Sequence, residues 1–318
     1  MITYSIGIPA FKSLFLKECI DSVLAQTYAN FELIIINDCS PNPVENIINS
    51  FNDPRIRYFK NDVNVGALNV IDNWNNCLNV AEGEFFILLG DDDKLLPTYL
   101  EEFNTLIDKY NTLDVYHCRS YIINEQSESI RITPINPEFE DIYDYITSCI
   151  TSQREQFISD FVYRRSTLIL NGGFYKLPLA WISDYLSSYI ACGDKGIAHT
   201  NKIVFNYRVN SGNITSTGGM EHKREASIRY FSWIKSFLEG EPDDQDSLLK
   251  RITLERAYVK ALRMEQINFI RQTIGKRSFL QGIYQCFKDR EKYNITLNDF
   301  VASVLSSLND KLLTKKSR

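Results

Sequence analysis

The sequence has few of the residues that build common metal and redox sites. Its three histidines, His117, His199 and His222, are too far apart to suggest a local metal motif. Its seven cysteines are scattered, and no CxxC pair occurs. We therefore expect neither a zinc site nor a disulfide framework, and the pattern is typical of a protein in a reducing cytoplasm.

Long hydrophobic runs and an excess of basic charge are also absent. No stretch approaches 18 consecutive apolar residues, so we expect no membrane-spanning helix. The chain begins with the strand-like MITYSIGIP and not with the basic and apolar segments of a signal peptide. The net charge of -5 disfavours a protein that binds mainly nucleic-acid backbone. These absences predict a cytoplasmic protein without a nucleic-acid partner.

The first hundred residues alternate strand and helix patterns. TYSIGIPAF, FELIIIND, RIRYFK and EFFILLG predict strands, and helical spacing of apolar residues separates them, as in LFLKECIDSVLAQ. Continuously apolar strands are typical of a parallel sheet covered on both faces. In the last hundred residues, 224–238 and 297–313 predict amphipathic helices. The predicted fold is α/β, a Rossmann-like, mostly parallel sheet flanked by helices, with a helical C-terminal extension.

One strand pattern ends in three consecutive carboxylates. In FFILLGDDDKLLP at 85–97, a buried strand is followed by Asp91, Asp92 and Asp93. Two carboxylates about 5 Å apart repel by roughly 3 kcal/mol at an effective dielectric of 20, so the group needs water, donors or a cation. A solvated turn that caps the next helix is one interpretation. Polar residues also end other strands, and α/β sheets bind ligands beyond the carboxyl ends of their strands, which favours a functional cluster.

Two common nucleotide-binding motifs are missing. There is no GxGxxG after the first strand and no GxxxxGK[ST], which disfavours dinucleotide dehydrogenases and P-loop enzymes. A carboxylate cluster can reach phosphate by another route, because Mg²⁺ or Mn²⁺ held by hard oxygen ligands can bridge to phosphate oxygens. We therefore expect Mg²⁺ or Mn²⁺ as the cofactor.

SIGIPAF, ECIDSVLAQTYANFELIIINDCS, NVG and AEGEFFILLGDDDKLLP occur in this order and resemble the N-terminal half of family 2 glycosyltransferases with a GT-A fold. The resemblance covers about the first hundred residues, with weaker matches to about residue 216. It implies an inverting enzyme of bacterial surface-polysaccharide synthesis that moves a sugar from a nucleotide-sugar, with UDP-sugar as the expected donor, to a glycan or lipid-linked acceptor. It implies a nucleotide-sugar half at 1–98, an acceptor half of the same domain at 99–218, and a helical region at 219–318.

The resemblance also assigns residues to the nucleotide. Phe11 stacks on the base, Asp38 accepts a hydrogen bond from the uracil ring, and Asp91 touches the ribose. The full nucleotide-binding set is Pro9, Ala10, Phe11, Asp38, Asn64, Gly66 and Asp91. The chain has NDCS where the family usually has DDGS, so Cys39 departs from a glycine. Asn73 and Trp74 are further candidates, although Trp74 is expected in the core.

Metal and catalytic roles follow in the same way. Asp92 is the implied metal ligand, and Asp93 is either a second metal-site carboxylate or the cap of the next helix. The general base corresponds to Asp184 in WISDY, after the GGF turn at 172–174. An ordinary Asp is a weak base, and burial could raise its pKa usefully.

Two residues are candidates for binding the acceptor. Trp181 either stacks on an acceptor sugar or packs in the core. Arg208, in a YR pair, faces phosphate or acceptor, or forms an ion pair. The histidine that usually follows YR is replaced by Asn210.

Other interpretations stay open. A nucleotidyltransferase also combines carboxylates with a nucleotide, but it typically has a glycine-rich basic loop that IPAFKSLF does not provide. A non-catalytic nucleotide-sugar-binding or scaffold protein would keep binding without transfer. The C-terminal helices could cover the acceptor cleft, form a homodimer, or lie on the inner membrane face through basic residues. Alternatively, they could simply pack on their own core. The basic residues are Lys311, Lys315, Lys316 and Arg318.

Overall fold

The computed structural model describes residues 2–210, 212, 219–242, 244–276, 279–290, 295–298 and 300–305. The chain divides into two compact units, Met1–Ser227 and Ile228–Arg318. The described strands all belong to the first unit.

The first half of this unit is a parallel sheet with helical crossovers. Its strands lie in the order β3-β2-β1-β4, and each neighbouring pair is parallel. Five consecutive residues of β2 and all four of β4 are buried, as their continuous apolar runs predict. The elements are β1 (Tyr4–Ala10), α1 (Leu16–Leu24), β2 (Phe31–Asn37), α2 (Val44–Ile48), β3 (Ile56–Lys60), α3 (Val70–Asn79) and β4 (Phe85–Leu88).

The second half continues the same sheet with mixed strand directions. The path runs on from β4 through β9, β6 and β10 to β5, while β7 pairs with β6 and β8 with β10. β9 is antiparallel to both β4 and β6, and β6 is parallel to β10. The elements are β5 (Lys94–Leu95), α4 (Tyr99–Lys109), β6 (Val115–Ile123), β7 (Ser129–Ile132), β8 (Phe139–Glu140), α5 (Ile142–Ile150), β9 (Phe161–Arg164), α6 (Arg165–Leu170), α7 (Ser183–Cys192) and β10 (Ile197–Arg208).

Helices cover the sheet by burying one apolar face each. α1 buries Leu16, Cys19, Ile20 and Val23, which lie at helical spacing. α3 approaches the sheet closely, because a Cβ on Gly7 would lie 2.7 Å from the Cβ of Cys77. The predicted α/β class with flanking helices is therefore confirmed.

The second unit is helical, as predicted. α8 (Met220–Leu238) begins before the boundary of the units and ends beyond it, and α9 (Gln245–Lys276) and α10 (Phe279–Asp289) follow. An apolar cluster within this unit comprises Phe269, Ile270, Ile274, Cys286, Ile295 and Phe300. Of the predicted final helix, residues 297–298 and 300–305 are helical, while 299, 306–313 and the basic tail lie outside the described residues. No helix within the described ranges is long and apolar enough to cross a membrane.

Candidate active site

Asp91 connects the end of β4 to the end of β1. Its Oδ2 accepts hydrogen bonds from the backbone N–H groups of Phe11 (2.8 Å) and Lys12 (2.6 Å). Burial raises the pKa of Asp91 to about 6; Asp92 adds to this, whereas Lys12 and the two N–H groups oppose it. The carboxylate therefore fixes the turn after β1 in which the predicted base-binding residues lie.

Asp92 carries a cationic partner from that turn. The ammonium of Lys12 donates to Asp92 Oδ2 at 2.5 Å, and the side-chain amide of Asn210 donates to the same oxygen at 2.6 Å. Burial by itself would lower the pKa of Lys12, but Asp91 and Asp92 raise it above its ordinary value. Asn210 thus contacts the predicted metal ligand from the position where the resemblance places a histidine.

Asp93 has both carboxylate oxygens engaged. Its Oδ1 accepts the backbone N–H of Arg208 (2.9 Å), and its Oδ2 accepts the hydroxyl of Ser159 (3.0 Å). Burial, reinforced by Asp92, raises the pKa of Asp93 well above its usual range. A Cβ on Gly90 would lie 2.8 Å from Asp93 Oδ2, so the turn is closely packed. Asp93 thus joins β10 and Ser159 to this turn, and its role as a metal ligand stays a prediction.

Arg208 lies inside the protein and does not face a cleft. Its side chain has no solvent exposure, its Nε donates to the carbonyl of Asp92 (2.7 Å), and its Nη2 donates to Glu18 (3.1 Å). Its Nη1 donates to oxygens of the 124–127 turn, and the guanidinium stacks 4.1 Å from the ring centroid of Phe15. The expected acceptor or phosphate contact of Arg208 is corrected to a buried structural one, because its donors are used by the protein.

Asp38 organises the loop after β3. Its Oδ1 accepts from Asn61 (2.8 Å) and from the backbone N–H of Val65 (3.0 Å), and its Oδ2 accepts from Asn64 (2.9 Å). Asn64 also donates to the Asp38 carbonyl (2.8 Å). Gly66 closes the loop at a φ of 77°. The predicted residues Asp38, Asn64 and Gly66 are thus brought together at one end of β2.

Phe11 has the exposure that base stacking requires. Its side chain is 41% exposed, and its carbonyl is held by Ser40 and Asn42. Pro9 and Ala10 lie at the end of β1 beside the end of β2. Trp74 is buried and packs edge-on to Phe174 at 5.6 Å, which confirms it as a core residue.

The segment before Asp184 has an unusual backbone. Leu179, Ala180 and Ile182 have φ values of 61°, 52° and 64°, a left-handed conformation that side chains disfavour. Such strain is found where the surrounding structure fixes a functional geometry. The segment leads directly into α7, with Asp184 in its first turn.

Asp184 keeps partial solvent access, yet its pKa is strongly shifted. Burial raises the pKa to about 7; the backbone N–H of Tyr185 opposes the shift and the charge of Asp160 adds to it. Asp160 is itself fully buried, and its neighbour Ser159 bonds Asp93. The sequence analysis missed Ser159, which contacts Asp93, and Asp160, whose charge raises the pKa of Asp184. No motif marks them in the sequence.

The GGF turn is clamped by α3. Gly172 and Gly173 have φ values of 82° and 87°, and the side chain of Asn75 accepts the backbone N–H of Phe174 at 2.8 Å. Asn75 was also missed, although it lies in the NWNN segment beside the expected Asn73.

Trp181 lies in sequence between the GGF turn and Asp184, and it is partly exposed. The ammonium of Lys223 lies 4.5 Å from its ring centroid, at cation–π distance. The ring is thus not confined to the core.

The described residues offer few side-chain ligands for a metal at this site. Within the described residues, no three His, Cys, Asp or Glu side chains are arranged to hold a metal. Mg²⁺ is commonly bound by one or two carboxylates together with substrate phosphates. Asp92 fits that donor set as a single carboxylate.

Comparison with known proteins identifies relatives for part of the chain. WcaA, a candidate colanic acid biosynthesis glycosyl transferase of Escherichia coli (strain K12), is 33% identical over 124 residues, which are 37% of this chain and 43% of WcaA. The glycosyltransferase GlyA of Streptococcus pneumoniae serotype 4 is 24% identical over 214 residues, 63% of this chain and 30% of GlyA. The chain thus spans less than half the length of these relatives.

Solved structures resemble nearly the whole chain. S. aureus TarS 1-349 in complex with UDP-GlcNAc has a TM-score of 0.67 and 17% identity, covering 95% of this chain and 82% of that one. The mannosyltransferase PcManGT from Pyrobaculum calidifontis, in complex with GDP-Man and Mn²⁺, has a TM-score of 0.55 and 14% identity, covering 98% and 88%. These similarities confirm the predicted GT-A fold.

The family model for glycosyl transferase family 2 matches residues 5–167, which contain the strand-end aspartates and Asp38. Because that match spans half of the chain, the chain belongs to glycosyl transferase family 2.

Proposed function

We propose that the protein is a metal-dependent, inverting glycosyltransferase that transfers a sugar from a UDP-sugar to a glycan or lipid-linked acceptor. The observation that carries the proposal is the arrangement after β4, where Asp91 fixes the turn of Phe11 and the Asp92 carboxylate pairs with the Lys12 ammonium. The donor is proposed to bind within 1–98 and the acceptor within 99–218.

The nucleotide is proposed to lie at the ends of β1 and β2. Phe11 offers an exposed ring for the base, and Asp38 is held in a fixed orientation by Asn61, Asn64 and Val65. Pro9, Ala10, Gly66 and Asp91 complete the surroundings. UDP-GlcNAc in TarS supports a UDP-sugar, whereas GDP-Man in PcManGT makes GDP the alternative to be tested.

Asp92 is proposed to hold Mg²⁺ or Mn²⁺ together with the donor diphosphate. When bound, such a cation stabilises the negative charge that develops on a departing diphosphate. The protein's own part is to keep Asp92 oriented, which Arg208 does by donating to the Asp92 carbonyl and Asn210 by donating to its carboxylate.

Asp184 is proposed to be the general base. In an inverting transfer, the acceptor hydroxyl oxygen attacks the anomeric carbon, its proton passes to a carboxylate, and the bond to the diphosphate breaks. A pKa of about 7 makes Asp184 a stronger base than an ordinary carboxylate and leaves a substantial ionised fraction at neutral pH. Trp181, which is partly exposed two residues before α7, is proposed to stack on the acceptor sugar.

The acceptor and the location of the protein are also proposals. The name of WcaA supports polysaccharide biosynthesis. A cytoplasmic protein that meets a lipid-linked acceptor at the inner membrane face is consistent with this acceptor class. Membrane contact through the basic tail and a homodimer remain predictions, and the tail lies outside the described residues.

The proposal is tested by calorimetric titration of UDP, and separately GDP, with and without Mn²⁺. We expect Mn²⁺-dependent UDP binding that Asp92→Ala abolishes. Asp21→Ala, which removes an exposed carboxylate paired with Lys17 on α1, is the matched control and should bind normally.

A screen of UDP-sugars for hydrolysis and transfer then tests catalysis. Activity that Asp184→Asn removes while UDP binding persists supports the assigned base. Nucleotide binding with no hydrolysis or transfer of any donor would instead favour the non-catalytic alternative. Failure to bind either nucleotide would refute the proposed donor site.

A further inference from the structure

We propose that Lys12 is an internal counter-ion for Asp92. The Lys12 ammonium occupies the position of the divalent cation until a nucleoside diphosphate binds, and the binding of the cation therefore depends on the nucleotide. This inference rests on the proposed function, because it assumes that Asp92 is the metal ligand. It assigns Lys12 a positioning role.

Hydrogen bonds hold Lys12 both at its backbone N–H and at its ammonium group. Its backbone N–H donates to Asp91 Oδ2 at 2.6 Å, so the start of the side chain is held beside β4. Its ammonium then lies 2.5 Å from Asp92 Oδ2 and 3.7 Å from Asp91 Oδ1. The side chain is 35% exposed, whereas that of Asp92 is only 12% exposed. The lysine therefore covers a carboxylate that has little other access to solvent.

A divalent cation would compete with this ammonium for the same oxygen. Mg²⁺ binds carboxylate oxygen at about 2.0–2.1 Å, and an ammonium at hydrogen-bond distance from that oxygen would repel it strongly. Asn210 donates to Oδ2 as well, at 2.6 Å, so that oxygen already has two donors. A cation that binds Oδ2 must therefore displace the Lys12 ammonium, and a cation at the other carboxylate oxygen would still be repelled by it.

A diphosphate changes this balance in two ways. It brings oxygen ligands that complete the coordination of the cation, and it offers negative charge to the displaced ammonium. Cation and nucleotide should therefore each strengthen the binding of the other, and by the same factor. Part of this coupling comes from direct contact between cation and diphosphate, and Lys12 supplies a further part that mutation can remove.

The test measures binding of Mn²⁺ alone, by electron paramagnetic resonance of the free ion, with no nucleotide present. We expect Lys12→Met and Lys12→Gln to bind Mn²⁺ about fivefold to tenfold more tightly than the wild type, the factor for losing one partly buried ion pair. Lys12→Arg keeps the charge and should stay near the wild type. Lys17→Met, which removes an ammonium paired with Asp21 on α1, is the matched control and should also be unchanged.

A second measurement determines the factor by which saturating UDP increases Mn²⁺ affinity. This factor should be smaller in both neutral variants than in the wild type. Thermal unfolding checks that each variant is folded, and Lys12→Gln serves if Lys12→Met is not.

The outcomes separate the two proposals. If both neutral variants bind Mn²⁺ no more tightly than the wild type, while wild-type UDP binding still requires Mn²⁺ and Asp92, the role of Lys12 is refuted and the proposed function stands. If the wild type binds neither UDP nor GDP with Mn²⁺, both proposals fail. If Mn²⁺ binds more tightly to Lys12→Met and Lys12→Gln but not to Lys12→Arg or Lys17→Met, the result supports Lys12 as the counter-ion of Asp92.

Discussion

The acidity of Asp184 is set by its surroundings and not by its own chemistry. A carboxyl with a pKa of about 7 keeps its proton in the folded protein over a pH range in which the unfolded chain has lost it. The contribution of Asp184 to the free energy of unfolding therefore falls as the pH rises from about 4 to about 7, which is the reverse of the usual effect of a carboxylate. The same shift that favours a general base thus weakens the fold.

Asp184→Asn is expected to separate stability from activity. At pH 8 the variant should be more stable than the wild type by about 2 kcal/mol, after allowing for the partial exposure of Asp184, and at pH 4 the difference should vanish. Transfer should fall by about 10²-fold to 10⁴-fold. Denaturant unfolding at the two pH values and single-turnover assays check this. A stability difference between variant and wild type that is the same at pH 4 and pH 8 would contradict the raised pKa.

For the wild type, the rate of transfer should depend on the ionisation of Asp184. Below a pH of about 7, kcat should fall about tenfold per pH unit, because only the ionised carboxylate can accept the proton. A kcat that is constant from pH 5 to pH 8 would exclude Asp184 as the base when chemistry limits the rate.

Cys39 occupies a backbone position suited to glycine. Its φ is 47°, in the left-handed region, where a side chain costs roughly 1–2 kcal/mol. Glycine avoids this cost, but its greater conformational freedom in the unfolded chain offsets part of the gain. We expect Cys39→Gly to stabilise the protein by about 0.5–1 kcal/mol in thermal unfolding. Cys39→Ala keeps a Cβ at the same φ, so it should not stabilise; equal effects of both changes would show that the backbone is not the cause.

At the scale of elements, short turns connect the helices and strands to the site. The GGF turn ends α6, and α3 clamps it through Asn75. A Cβ on Gly173 would overlap the amide oxygen of Asn75, whereas a Cβ on Gly172 meets nothing within 4 Å. Both glycines have positive φ, so they form a matched pair.

Gly173→Ala is expected to destabilise the protein more than Gly172→Ala. The change at Gly172 should cost about 1 kcal/mol through its backbone alone. The change at Gly173 should cost about 2–3 kcal/mol, because it also displaces the Asn75 oxygen from the Phe174 N–H. Chemical denaturation measures both, and similar costs would mean that the clamp contributes nothing.

Arg208 joins β10 to α1 and to the turn after β4. Arg208→Met should destabilise by about 3–5 kcal/mol, mainly because the carbonyls of Asp92 and Asn124 lose their buried donor, whereas Glu18 keeps its pair with Lys94. Arg131→Met, at an exposed pair with Glu155, should cost at most about 1 kcal/mol. If Arg208→Met unfolds no more easily than Arg131→Met, the structural role given to Arg208 is wrong.

At the scale of the whole molecule, every candidate site residue lies in the unit Met1–Ser227. A ligand that binds only the folded form stabilises by about 2.7 kcal/mol at 100 times its Kd. UDP with Mn²⁺ should therefore raise the unfolding temperature of this unit in calorimetry, and a chelator should cancel the shift. A shift that persists in Asp92→Ala would place the nucleotide elsewhere.

The α/β class, the helical C-terminal region and the family could all be predicted from the amino-acid sequence. These depend on local information, because apolar periodicity and motif order are visible along the chain. Asp38, Asn64 and Gly66 were predicted as a group, and the structure brings them together. The sequence showed that Cys39 stands where the family has glycine, but its left-handed backbone was seen only in the structure.

The different roles of the charged residues became visible only once the chain was folded. Asp91, Asp92 and Asp93 are adjacent in sequence, yet their partners come from the turn after β1, from the end of β10 and the residues after it, and from the segment before β9. Burial and long-range hydrogen bonds give Asp93 and Arg208 structural roles and bring Lys12 onto Asp92. These contacts join residues that are 66 to 115 positions apart, and a local pattern carries no information about them.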